Sequence, residues 1–94
     1  MRVELHIPQS RSLKEKRAAL RPVVEGLRQR FSLSVAEVGY QDMWQRALVG
    51  VAVVSGSHRQ AADIVDTVER WVWSRPDIEV CDFACQWSTW DREG

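Results

Sequence analysis

Arg46-Ala47-Leu48-Val49-Gly50-Val51-Ala52-Val53-Val54-Ser55 is apolar at almost every position between its polar ends. Such a run reads as a central β-strand covered on both faces or nearly so. It is far too short to cross a bilayer, which needs about 20 residues. Just beyond it, Ser57 and Gln60 have the spacing of a helix capping box. The helix they open carries its buried stripe on Ala61, Ile64, Val65, Val68, Trp71 and Val72 and cannot continue past Pro76. A last strand is expected over Ile78 to Trp87, with Cys81, Phe83, Cys85 and Trp87 inward and Asp82 and Gln86 outward.

Toward the N-terminus, Leu33, Val35 and Glu37 alternate with Ser34, Ala36 and Val38 as a second strand, closed by Gly39. A polar loop, Tyr40 to Gln45, joins it to the central run. Before it, Ser12 and Glu15 form another capping box. They open a helix with Leu13, Leu20, Val23, Val24, Leu27 and Phe31 on one face. Pro22 and Gly26 weaken this helix, and a bend near residues 18–22 is expected. Val3, Leu5 and Ile7 alternate with Arg2, Glu4 and His6 as a half-buried first strand, ended by Pro8.

The order is β-α-β-β-α-β over a single domain, residues 1–94. This is the α+β, ferredoxin-like arrangement, a four-stranded antiparallel sheet with two helices on one face. Right-handed crossovers place both helices on the same side and leave the other sheet face open. The central run is apolar toward both sides, so association through the open face or an edge strand is expected.

Composition agrees with a packed soluble domain, at 94 residues and 45% apolar. The N-terminus has no signal-peptide core, and a cytoplasmic location is expected. Net charge is zero, but residues 1–47 carry nine basic and five acidic groups and residues 48–94 four and eight. A basic surface and an acidic one follow. Cys81 and Cys85 on one strand would lie about 13 Å apart, beyond the reach of a disulfide. Buried, structural thiols are the expectation.

The residues exclude several activities of this topology. An RNA-recognition motif stacks bases on aromatics of its first and third strands, which here contain none. An acylphosphatase-like site needs an asparagine, and the chain has none. There is no Gly-rich phosphate loop, Cys-His nucleophile motif or paired metal-ligand motif. His6 on the open face and His58 at a helix start have no sequence-evident partner. No catalytic residue, metal or cofactor is expected, and the chain does not read as a self-sufficient enzyme.

Ser12-Leu-Lys-Glu-Lys-Arg17 and Ser34-Val-Ala-Glu-Val-Gly-Tyr-Gln-Asp-Met-Trp-Gln-Arg-Ala47 resemble the YlxP-like family of small bacterial domains of unknown function. The likeness extends from about Val3 to Phe83. It implies a ferredoxin-like fold and, because family genes lie near translation-initiation and ribosome-maturation genes, association with RNA or the ribosome. It supplies no catalytic residues. Family members usually begin several residues earlier, which makes the first strand look short. The Trp87 to Gly94 end replaces a more aliphatic strand end.

Two surfaces are candidates for function. Lys14, Arg17, Arg21 and Arg28 fall within about 60° of arc on the first helix, along about 21 Å of its axis. Arg11 precedes them at the helix N-terminus, which favours anions. Lys16 and Arg30 lie on the opposite flank of the apolar stripe. The basic stripe reads as a solvated face or as a track for phosphates. In the 40–46 loop, Gln41, Asp42, Trp44 and Arg46 form a contact surface, or Trp44 only pins the loop to the sheet edge. Trp73 falls off the buried stripe of its helix and is expected to pack against the Trp90 tail. The leading expectation is a non-enzymatic accessory protein that binds ribosomal RNA or a ribosomal subunit through the first helix. The alternative is a self-associating domain, a homo-oligomer that binds protein or a small ligand. No membrane partner is expected.

Overall fold

The computed structural model describes residues 1–90. Its elements are β1 (Arg2–His6), α1 (Leu13–Phe31), β2 (Ser34–Gly39), β3 (Arg46–Ala52), α2 (His58–Trp73) and β4 (Glu79–Ala84). The sheet order is β2-β3-β1-β4, all antiparallel, so the α+β ferredoxin-like arrangement expected from the sequence is present. β1 and β3 are central. Their inward residues Val3, Leu5, Ala47, Val49 and Val51 are all under 5% exposed. Leu20, Val23 and Leu27 of α1 and Val68 and Val72 of α2 close over them.

Both helices begin where their caps predict. Ser12 Oγ accepts from the Glu15 backbone N–H at 3.1 Å, and Ser57 Oγ from Gln60 at 3.3 Å. Each satisfies one of the N–H groups that a helix start leaves unpaired. Glu15 reaches back to the Arg11 N–H, one residue before the cap. α1 runs through Pro22 as one helix and ends at Ser32, whose φ of 53° is left-handed.

Gly26 has a packing role. A Cβ there would stand 2.5 Å from Trp71 Cη2, so the missing side chain lets α1 and α2 approach across the Trp71 ring.

Four expectations, on the end of β3, the end of β4, the cysteines and the Trp73–Trp90 contact, need correction. β3 ends at Ala52, and Val54 is 97% exposed. β4 stops at Ala84, short of Trp87, and both cysteines are exposed. The cause is a bulge. Glu4 faces Asp82 while Leu5 faces Val80, so Cys81 is an extra residue between them. Val80 and Phe83, three positions apart, both pack against the core, and strict alternation through Cys81 fails. Cys85 follows the strand end. The expected Trp73–Trp90 packing is also absent. Those side chains are 59% and 93% exposed, and Trp87 instead lies 4.5 Å, centroid to centroid, from His58.

Candidate functional site

Lys16 is the least expected residue of the molecule. It is 1% exposed. Its Nζ donates to the carbonyls of Tyr40 at 2.8 Å and Arg46 at 3.0 Å, with Gln41 O more distant at 3.4 Å. Glu37 Oε2 lies 2.8 Å away and supplies the countercharge, as an ion pair without hydrogen-bond alignment. A buried ammonium is tolerable only with such compensation. The sequence held the signal. Lys16 precedes Val23 by seven residues and Leu27 by eleven, which places it on the buried face of α1. Its charge suggests a flank position, but its helical phase is that of the buried stripe.

Glu37 reaches this point by alternation with Leu33 and Val35, and β2 has a bulge just after it. Glu37 faces Val49 and Gly39 faces Leu48, with Val38 as the extra residue, 57% exposed. Glu37 thus faces the helix side with Val35, and Val38 the open side with Ala36. Other bonds hold the 40–45 loop. Gln41 Nε2 donates to Glu37 O at 3.1 Å, and Met43 N–H to Tyr40 O at 3.0 Å. Gln45 Nε2 donates to Ser10 O at 3.1 Å, and Ile7 N–H to Gln45 O at 2.8 Å. The loop is fixed from beneath at many points. The two stretches that carry the family likeness, Ser12 to Arg17 and Ser34 to Ala47, thus meet in space through Lys16.

Above this support the loop presents Trp44, 56% exposed, and Met43, 44% exposed. With His6, Asp42, Gln45, Arg46 and Cys81 they line an open groove of about 740 Å³. Arg46 Nη2 pairs with Glu4 Oε2 at 2.6 Å, and its guanidinium lies 5.4 Å from the Tyr40 ring centroid. Of the loop candidates, Asp42, Trp44 and Arg46 share the groove, while the Gln41 amide is spent on Glu37 O. His6 Nδ1 is 3.8 Å from Glu79 Oε2, beyond hydrogen-bond distance. Among the described residues no three His, Cys, Asp or Glu side chains are placed to hold a metal ion.

The basic stripe divides. Arg28 Nη2 donates to Val35 O at 2.7 Å, so it satisfies an outward carbonyl of the edge strand β2. Arg11, Lys14, Arg17 and Arg21 are exposed and have no carboxylate within 4 Å among the described residues. The first three flank Lys16 and therefore stand at the same end of the molecule as the 40–45 loop.

Fold and site define a small α+β domain in which a buried lysine locks the first helix to the β2–β3 loop. The chain belongs to the family described as a protein of unknown function, DUF503, which it matches over residues 1–85. It is 40% identical over 76 residues to the uncharacterized protein YlxP of Bacillus subtilis (strain 168), covering 81% of this chain and 83% of that protein. Among the described residues no helix is long and apolar enough to cross a membrane.

Proposed function

We propose that this protein is a non-enzymatic accessory factor that binds RNA, free or within the ribosome, through Arg11, Lys14, Arg17 and Arg21. The observation that carries the reading is the set of four exposed cations on one end and face of α1, without carboxylate partners among the described residues. Of the other basic groups, Arg28 is engaged on β2, Arg46 on Glu4 and Arg75 over the Trp71 ring at 4.4 Å, while the exposed Arg30, Arg59 and Arg70 lie outside this cluster. Charges on a helix can track phosphates without reading sequence.

Four phosphate contacts give a log–log salt dependence of about −3. Arg17→Glu with Arg21→Glu should abolish binding to ribosomal RNA and leave the thermal transition intact, since both side chains are exposed. Arg59→Glu with Arg70→Glu, on α2, is the matched control and should have little effect. Equal losses in both double variants would refute the reading.

A second reading, self-association through the open face, is favoured by one observation. Ala36, Val38, Gly50 and Ala52 form an apolar strip there beside Met1.

A further inference from the structure

We propose that the groove beside the 40–45 loop receives an unpaired base of the bound RNA, with Trp44 as its stacking platform. The protein would then prefer single-stranded or looped RNA to a continuous duplex. The inference rests on the RNA reading above and names its substrate class.

Rigidity is the first ground. A loop held by Lys16, Gln41 and Gln45 presents Trp44 and Met43 already ordered, so little conformational entropy is lost when a ligand contacts them. Yet their side chains are about half exposed and bury little apolar area within the fold. Shape and chemistry are the second. The indole and the thioether offer apolar surface, while the rim holds the Asp42 carboxylate, the Gln45 carbonyl oxygen and the His6 ring. Gln45 Nε2 is already spent on Ser10 O, which leaves its Oε1 as an acceptor. Apolar faces with a donor–acceptor rim describe a nucleobase. Position is the third. Lys16 joins the loop to the turn of α1 that carries Lys14 and Arg17, so those cations and the groove stand at one end of the molecule, on the helix side and the open side of the same loop.

In β-sheet RNA readers the stacking aromatics lie on the strands, and here β1 and β3 have none. The platform has moved to the loop at the sheet's end. The interior of a duplex keeps its base faces stacked and leaves Trp44 only backbone, 2′-hydroxyls and base edges.

The test uses a labelled uridine oligonucleotide and a blunt RNA duplex with the same number of phosphates, titrated by anisotropy across a salt series. Trp44→Ala should weaken oligouridine binding about tenfold or more, as expected for loss of one base–aromatic stack. Its salt slope should stay at the wild-type value, its duplex affinity should not change, and Trp44→Phe should recover most of the loss. Arg17→Glu with Arg21→Glu should instead abolish binding of both RNAs. If Trp44→Ala binds oligouridine like the wild type while the arginine variant fails, the base-stacking inference falls and RNA binding stands. If the wild type binds neither RNA, the RNA reading itself falls and takes the inference with it. If Trp44→Ala alters only the sedimentation of the free protein, the loop is a self-contact and the inference is wrong.

Discussion

Lys16 concentrates the local energetics of the site. Its ammonium satisfies at least two carbonyls and faces Glu37, in a position that helical phase assigns to an apolar residue. Replacing it with Met keeps the stem but leaves Glu37 without its cation and the loop carbonyls without a donor. Removing one partner of such a pair costs about 3 kcal/mol. We therefore expect Lys16→Met to lower the urea midpoint strongly. Adding Glu37→Gln should give back part of the loss, since the stranded charge is then gone. A double variant as unstable as the sum of the singles would show that the two side chains act separately. The cysteines make the opposite point. Alternation placed Cys81 inside, and one inserted residue turned it to solvent. A bulge leaves no period in the sequence that a two-residue repeat can register.

The two helices meet through Gly26 and Trp71. The Trp71 ring is held between Phe31, 6.0 Å away edge-on, and the Arg75 guanidinium. It has little room to retreat. Gly to Ala inside a helix ordinarily stabilises by about 0.5–1 kcal/mol. Here the new methyl would sit 2.5 Å from the ring, and overpacking of this kind costs about 1–3 kcal/mol. Gly26→Ala should therefore lower the melting temperature, reversing the propensity rule. A rise would mean that α1 and α2 can move apart freely. The element boundaries at Ser12, Gly39 and Ser57 were legible because caps and terminators are local chemistry. The purpose of Gly26 was not, because its partner lies 45 residues away in the chain.

For the whole molecule, formal charge is zero, so any attraction for RNA must come from the distribution of charge. The open sheet face is mixed. Over β1 and β4 it carries the cross-strand pairs Arg2–Asp82 and His6–Glu79, and over β2 and β3 the apolar strip with Val38. A strip of so few small side chains falls short of a standard interface. Self-association through it should be weak and reversible, with dimer detectable by sedimentation equilibrium only at high concentration, on the order of 100 µM. Val38→Lys should abolish it, and a monomer at that concentration in the wild type would remove the second reading. The sequence by itself determined the topology, the helix starts and the buried faces, because these follow from hydrophobic period, caps and chain chirality. Only the tertiary structure decided which groups compensate the Lys16 charge, that Arg28 is tied to β2 and that Cys81 is exposed. Each of those depends on a partner supplied by a distant strand, and a bulge or a long-range ion pair has no local signature.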